Sequence, residues 1–125
     1  MPASWTIDEH ARLTTVTIAG RFTLPEAQQT LLELYAQPSY NRPMVDLWDL
    51  REAQLEAGPG DMLRFVRFML GRSGGARTDR TALVVVAGGH QFGLSRMYQT
   101  YADTMLSLPV SVFTDVDQAL AWLGE

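Results

Sequence analysis

The segment GGHQFGLS at residues 88–95 has the residue types of a phosphate-binding or catalytic loop. Counted from Gly88, it has the glycine spacing of a Walker A loop, but Leu94 occupies the position of the lysine that contacts the β- and γ-phosphates. No other lysine can replace it, because all ten basic residues of the chain are arginines. The dinucleotide fingerprint fails as well, since His90 stands where its second glycine is required. The segment therefore predicts a strand-to-helix turn and does not favour a nucleotide site.

Three residue types that cooperate in hydrolases are also present, but their spacing does not favour a catalytic triad. His90 and Ser95 lie five residues apart with a predicted helix start between them, and Asp49 follows a distant strand. No G-x-S-x-G elbow surrounds the serine, so we predict no catalytic residue. The two distant histidines have no ligand spacing, so we expect no metal and no cofactor. A hydrolase-like enzyme that uses Asp49 and His90 as an acid–base pair is kept as an alternative.

The composition excludes several kinds of chemistry and partner. The chain has 125 residues, a net charge of −4 and a pI of about 5.1, and this acidic balance argues against nucleic acid as the partner. The absence of cysteine excludes disulfides and thiolate sites, and the absence of lysine excludes Schiff-base chemistry. No signal pattern and no apolar run of about 18 residues is present. We therefore expect a cytoplasmic protein without a transmembrane segment.

The periodicity of apolar residues predicts one α/β domain over residues 1–125. Two strands joined by a turn near His10 are followed by alternating helices and strands, in the order ββαβαβαβα. This order indicates a mixed, mostly parallel sheet of about five strands with four helices. The β-branched run before the opening segment predicts a central strand covered on both faces. Three valines of that run are expected to be fully buried: Val84, Val85 and Val86.

Local signals mark the ends of several elements. Thr23 and Glu26 form a predicted capping box at the start of the first helix, and Thr114 is the predicted cap of the last helix. Residues 71–80 are predicted to form a polar, glycine-rich loop. The predicted core stripe of the first helix is Leu24, Ala27, Leu31, Leu34 and Tyr35. That of the third helix is Leu94, Met97, Tyr98, Tyr101 and Met105.

The second helix carries residues that could form an interface. Its predicted core stripe is Met62, Phe65, Val66 and Met69. Steps of about 100° per residue put Arg64, Arg67 and Phe68 on the opposite side. An exposed aromatic residue beside arginines is typical of interface hot spots. These three residues therefore predict a possible homodimer or other protein interface.

The carboxyl ends of the predicted parallel strands are the expected ligand-binding edge. The residues predicted to bind a ligand there are Asp49, Arg51, Gly88, Gly89, His90, Phe92 and Tyr98. An anionic group is expected near Gly89 and Phe92, where a helix begins, with Arg51 as its counter-charge. Taken singly, each residue favours a structural role: an ion pair of Asp49 with Arg51, and a solvated turn position for His90.

Several segments together resemble the SpoIIAA-like branch of the STAS domain superfamily. The most distinctive are Trp48-Asp49-Leu50-Arg51 and Phe92-Gly93-Leu94-Ser95-Arg96-Met97-Tyr98, accompanied by RLTTVTIAGRFT near the start and ALAWL at the end. The resemblance covers almost the whole chain and implies a mixed sheet with β/α superhelical turns. It also suggests a binding role, because some similar domains are thought to bind lipids or other small apolar molecules.

The regulatory switch of the classical relatives does not carry over to this chain. Those relatives are anti-anti-sigma factors that change partner when a serine at the start of the second helix is phosphorylated. Here no serine or threonine is found from Asp49 to Arg72. We therefore expect a non-catalytic binding or regulatory module whose ligand is small and anionic or amphipathic, bound at the carboxyl strand edge. The alternatives are a protein-interaction or homodimerisation module in bacterial signalling and the hydrolase-like enzyme.

Overall fold

The computed structural model describes residues 3–40, 43–71 and 78–125. The strands are β1 (Ala3–Asp8), β2 (Leu13–Thr23), β3 (Met44–Glu56), β4 (Thr78–Val84) and β5 (Val110–Phe113). The helices are α1 (Leu24–Tyr35), α2 (Pro59–Gly71), α3 (His90–Tyr101) and α4 (Val116–Leu123), and a π-helical turn over Ala102–Leu106 continues α3. The predicted order ββαβαβαβα is confirmed. The loop predicted at residues 71–80 is too long, because Gly71 ends α2 and β4 already begins at Thr78; residues 72–77 lie outside the described residues.

The five strands form one mixed sheet in the order β1-β2-β3-β4-β5. The hairpin strand β1 is antiparallel to β2, with Trp5 opposite Val16. The pairs β2–β3, β3–β4 and β4–β5 are all parallel. The predicted α/β class and mostly parallel sheet are therefore confirmed, and the carboxyl ends of four strands lie at one edge.

Helices cover the two faces of the sheet unequally. Helices α1, α2 and α3 pack on one face, together with inward residues such as Trp48 and Leu83. Helix α4 packs on the other face against the alternate residues, among them Leu47 and Val84. This division follows from the alternation of side chains along a strand. None of the helices in the described part of the chain is long and apolar enough to cross a membrane.

Strand β3 carries a β-bulge directly after Asp49, the last residue of β3 that pairs with β4. Thr17 pairs with Asp49 and Ala19 pairs with Glu52, so the two residues Leu50 and Arg51 of β3 oppose one residue of β2. A bulge of this kind bends the strand and changes which side chains face inward. Beyond it, β2 and β3 continue as a two-stranded extension past the end of β4, which pairs with β3 no further than Asp49.

Helix caps confirm one prediction and correct another. Thr23 accepts a hydrogen bond from the backbone of Glu26, and the Glu26 carboxylate accepts one from the backbone of Thr23, as the predicted capping box requires. The cap of α4 is Asp115 and not Thr114. The Asp115 carboxylate accepts a hydrogen bond of 2.8 Å from the backbone N–H of Asp117. Thr114 lies one residue too early, in the bend that follows β5.

Three burial predictions are wrong: those for Val86, Met97 and Met105. Val84 and Val85 are fully buried, but Val86 is 58% exposed because β4 ends at Val84 and the chain turns toward α3. Met97 and Met105 are exposed. The buried positions of α3 are Leu94, Ser95 and Tyr98, which leaves Met97 on the outer side. Met105 lies in the π-helical turn, where the wider winding interrupts the 3.6-residue period.

Candidate functional site

A cavity of about 80 Å³ lies between the sheet and the three helices α1, α2 and α3. Its walls are mostly apolar and come from β2, β3, β4 and the three helices. The apolar and aromatic lining residues are Phe22, Leu24, Ala27, Leu31, Tyr35, Trp48, Leu50, Leu55, Met62, Phe65, Met69, Leu83, Leu94 and Tyr98. The four remaining lining residues are polar: Asp46, Thr78, Thr81 and Ser95. This combination of apolar walls with few polar groups is typical of small-molecule sites.

A buried hydrogen-bond cluster forms the wall at the amino ends of β3 and β4. The Tyr40 hydroxyl lies 2.9 Å and 3.1 Å from the two carboxylate oxygens of Asp46. The Thr78 hydroxyl lies 3.2 Å from one of these oxygens and 2.6 Å from the Tyr40 hydroxyl. Asp46 is only 2% exposed, so its carboxyl is solvated almost entirely by these protein hydroxyls.

Burial makes the Asp46 carboxyl a much weaker acid than usual. Desolvation raises its pKa to about 7, against the opposing effect of hydrogen bonds from Tyr40 and Thr78. Thr14, its neighbour on β2, also lowers the pKa, although its hydroxyl does not reach hydrogen-bonding geometry. Burial and the nearby Asp46 charge raise the pKa of the Tyr40 hydroxyl as well. Asp46 therefore changes its protonation near neutral pH.

A polar row crosses the sheet at Asp46. Thr14 on β2, Asp46 on β3 and Thr81 on β4 are consecutive cross-strand neighbours, so their side chains share one face. Thr81 and Ser95 both line the cavity and are 7% and 4% exposed. Within the described residues, neither of these two hydroxyls has a hydrogen-bond partner. Among the described residues, the Thr14 hydroxyl is fully buried without a partner, although buried hydroxyls are normally paired. Thr81 of the row and Ser95 of α3 instead have unused hydrogen-bonding capacity next to the open space of the cavity.

The predicted pair of Asp49 and Arg51 is present at the carboxyl edge. The Arg51 guanidinium donates hydrogen bonds of 2.9 Å and 2.8 Å to the two carboxylate oxygens of Asp49. This pairing lowers the pKa of Asp49 below its usual value, which makes the carboxylate a weak base. Asp49 follows Trp48 along β3, so its side chain lies on the opposite face of the sheet, the one that α4 covers. Arg51 is exposed and lies near Asp115 at the start of α4. Neither residue lines the cavity.

The opening segment forms a tight turn into α3. Gly88 has φ +74°, a conformation that a residue with a Cβ adopts only with strain. Gly89 is the N-cap of α3 and supplies no side-chain cap. His90, the first residue of α3, is exposed. The Gln91 side chain donates a hydrogen bond to the carbonyl of Ala53, which fixes the start of α3 over the extension of β3.

The structure separates the predicted ligand-binding residues into two groups. Tyr98 lines the cavity, whereas Phe92 is half-buried against the core and does not line it. The other predicted residues lie at or beyond the carboxyl edge: Asp49, Arg51, Gly88, Gly89 and His90. Their role in ligand binding stays a prediction.

The predicted interface residues of α2 have different environments. Arg64 forms an ion pair with Asp61, and Arg67 is exposed. Phe68 is half-buried and packs on Phe65, with ring centroids 6.3 Å apart. The partial exposure expected for Phe68 is therefore observed, and the interface itself stays a prediction. Among the described residues, no group of three or more histidine and acidic side chains could hold a metal ion.

The comparisons with known proteins define first a fold and then a family. A solved structure from Shewanella loihica PV-4, an uncharacterized protein of the DUF3478 family with a SpoIIAA-like fold, is 20% identical to this chain and has a TM-score of 0.61. The similarity covers 97% of this chain and 91% of the other. The SpoIIAA-like family model matches residues 13–124. The chain therefore belongs to the SpoIIAA-like family, and this fold indicates a regulatory or binding module. No curated protein matches it.

Proposed function

We propose that this protein is a non-catalytic binding module that takes a small apolar or amphipathic molecule into the cavity between the sheet and helices α1–α3. The observation that carries this proposal is the apolar cavity itself, which extends from the start of α1 at Leu24 to the buried carboxyl of Asp46. Protein interiors are usually packed with few voids larger than a water molecule. A cavity bounded by three helices and the sheet is therefore suited to hold a ligand.

The size of the cavity limits what it can accept without rearrangement. An engineered apolar cavity of about 150 Å³ in another protein binds benzene. The cavity here, at about 80 Å³, accommodates a short alkyl group or the end of a longer chain. A larger ligand requires α2 to move away from the sheet. Met62, Phe65 and Met69 of that helix all line the cavity, and the two methionines are flexible enough to repack around such a ligand.

The sequence also predicted an anionic head group at the carboxyl edge, and the structure supports this prediction less than it supports a ligand in the cavity. Arg51, its proposed counter-charge, is already neutralised by Asp49. The positive end of the α3 dipole still favours an anion there. The amphipathic ligand is therefore proposed for the cavity, and the edge residues are tested separately below.

A cavity-filling variant tests the proposal directly. Ala27 of α1 is buried and lines the cavity, so Ala27→Leu should fill part of the space and abolish binding of small apolar probes such as xenon and n-pentane. Ala121→Leu adds the same atoms at an exposed position of α4 and is the matched control. NMR titration of both variants and the wild-type protein measures the binding. Failure of the wild-type protein to bind any apolar or amphipathic probe would exclude the proposed function.

A further inference from the structure

We propose that Thr81, Ser95 and Asp46 form a subsite that receives a hydrogen-bond-donating head group, a hydroxyl or an amine, on the ligand whose apolar part occupies the cavity. This inference rests on the proposed function, because it assigns the polar end of the same cavity. It names the chemical class of ligand: a short aliphatic alcohol or amine, and not a carboxylate.

The two hydroxyls supply the first argument. Thr81 lies two residues before Leu83 on β4, so the two side chains share the sheet face that α1, α2 and α3 cover, and both line the cavity. Ser95 occupies a buried position of α3, beside Leu94. Neither hydroxyl has a protein hydrogen-bond partner in the part of the chain that is described. A hydroxyl that lines a cavity without a protein partner can pair with a ligand head group without giving up an existing protein hydrogen bond.

Asp46 supplies the second argument, because it sets the polarity of the head group. Its carboxyl oxygens offer roughly four acceptor positions, and the hydroxyls of Tyr40 and Thr78 fill part of this capacity. The described residues that line the cavity include no arginine or histidine. An anionic head group would therefore meet a carboxylate without any compensating cation. A hydroxyl or an amine can instead donate to Asp46 while it forms a hydrogen bond with Thr81, the neighbour of Asp46 on β4, or with Ser95, which lines the same cavity.

The position of the polar row supplies the third argument. Thr81 and Asp46 are direct neighbours across the β3–β4 ladder, and the next inward pair along the strands is Trp48 with Leu83. The polar subsite and the apolar wall are thus adjacent layers of the same sheet face. A ligand with a polar group at one end of a short alkyl chain matches this arrangement without burying either part against the wrong surface.

The test compares four probes that have equal numbers of non-hydrogen atoms: n-pentane, n-butanol, n-butylamine and propionate. Affinities are measured by NMR titration for the wild-type protein and for the double variant Thr81→Val/Ser95→Ala. The wild-type protein should bind propionate most weakly. The ratio of butanol affinity to pentane affinity should fall roughly tenfold in the double variant, the loss expected for buried hydrogen bonds. Pentane should bind the double variant at least as well as the wild-type protein.

Two further arms separate the possible outcomes. Thr17→Val removes a hydroxyl from the opposite face of the sheet and should leave the butanol-to-pentane ratio unchanged. Butylamine binding should tighten between about pH 6 and about pH 8, because Asp46 becomes ionised over that range. If the ratio is the same in the double variant and the wild-type protein, or if propionate binds best, the subsite is refuted while the cavity function stands. If no probe binds, both proposals fail.

Discussion

The two faces of the sheet are built from alternate residues of the same strands, yet they differ in what they enclose. Under α4, Leu47, Ala82 and Val84 pack against Ala119 and Leu123 in a small apolar core. At the margin of that core the Arg80 guanidinium lies 5.1 Å from the Trp122 ring and donates a hydrogen bond to the Trp122 carbonyl. Under the three helices of the other face, the same strands bury the Asp46 carboxyl and the hydroxyls of Thr14 and Thr81, and a cavity lies beside them.

We interpret the α4 face as the one that is constrained only by stability. A single helix on a sheet can pack closely against one apolar stripe, and nothing polar needs to be buried under α4. The face that α1, α2 and α3 cover, here called the helical face, retains Asp46 and Thr81 at positions where apolar residues would pack better. Polar groups that raise the cost of folding are expected at sites with a function. The comparison therefore favours the helical face as the binding face.

The largest expected effect comes from deleting one leucine on each face. Leu83→Ala and Leu47→Ala should each lower the free energy of unfolding by about 2–5 kcal/mol in urea denaturation, because both side chains are buried. Only Leu83→Ala should enlarge the existing cavity, since Leu83 lines it and pairs with Trp48.

Benzene distinguishes the two leucine variants. Its binding to Leu83→Ala should shift the NMR resonance of the Trp48 indole N–H, because Trp48 lines the enlarged cavity. Any binding to Leu47→Ala should instead affect Trp122, which packs on the α4 core. A Trp48 shift in Leu47→Ala and none in Leu83→Ala would contradict the assignment of the cavity to the helical face.

The second expected effect is a pH dependence of stability that comes from Asp46. Its pKa is raised to about 7 in the folded protein, so the folded state binds a proton more tightly than the unfolded state does. The free energy of unfolding should therefore fall as the pH rises through about 7, by on the order of 2–4 kcal/mol between about pH 5 and about pH 8. Asp46→Asn should remove this slope, and its carbonyl oxygen can still accept hydrogen bonds from Tyr40 and Thr78.

Other carboxylates act in a different pH window and do not obscure the test. Ion pairs with arginine lower the pKa of Asp49 and of Glu56, so their contributions are lost only as the medium becomes strongly acidic. Asp103→Asn, an exposed substitution of the same kind, is the control and should keep the wild-type slope. A wild-type protein whose stability is constant from about pH 5 to about pH 8 would show that the carboxyl is not buried as described.

The fold could be predicted from the sequence because its signals are local. The alternation of β2, the capping box at Thr23 and the unalternating run of β4 each depend on residues close together in the chain. Apart from Met97, which lies within α3, the errors arise where one element ends and the next begins. Nothing local shows that β4 stops at Val84, or that a π-helical turn alters the facing of Met105.

The third prediction tests where β4 ends, by substituting the two adjacent residues Val85 and Val86. Val85→Ala should lower the free energy of unfolding by about 1–3 kcal/mol, because Val85 is fully buried in the helical-face core. Val86→Ala should change it by less than about 0.5 kcal/mol, since this side chain is mostly exposed. Equal losses in urea denaturation would mean that the second valine is buried as the sequence pattern first suggested.

The cavity site was harder to predict because its residues are distant in sequence and each has an ordinary local explanation. Asp46 lies in the apolar strand segment MVDLWDL, two and four residues before Trp48 and Leu50, so it shares their face of the strand. Its inward position in the strand was the available signal. A second acidic residue, Asp49, follows three positions later, so the pair could also belong to the polar end of a strand. Thr81 and Ser95 give no signal in isolation, because hydroxyl side chains are common in strands and helices. The proposed subsite depends on the strand register that aligns Thr81 with Asp46, and this register is known only from the structure.

The smallest expected effect concerns the ion pair at the carboxyl edge, which the sequence had suggested as the binding site. Arg51→Ala should change the free energy of unfolding very little, because exposed ion pairs contribute little to stability. Binding of n-pentane and n-butanol to the cavity should be unchanged, since Arg51 does not line it. Arg21→Ala removes the other arginine of this edge, which pairs with Glu56, and is the matched control. A selective loss of binding in Arg51→Ala, with Arg21→Ala unaffected, would return the ligand to the carboxyl edge. Equal affinities in both variants and the wild-type protein would leave the cavity as the site.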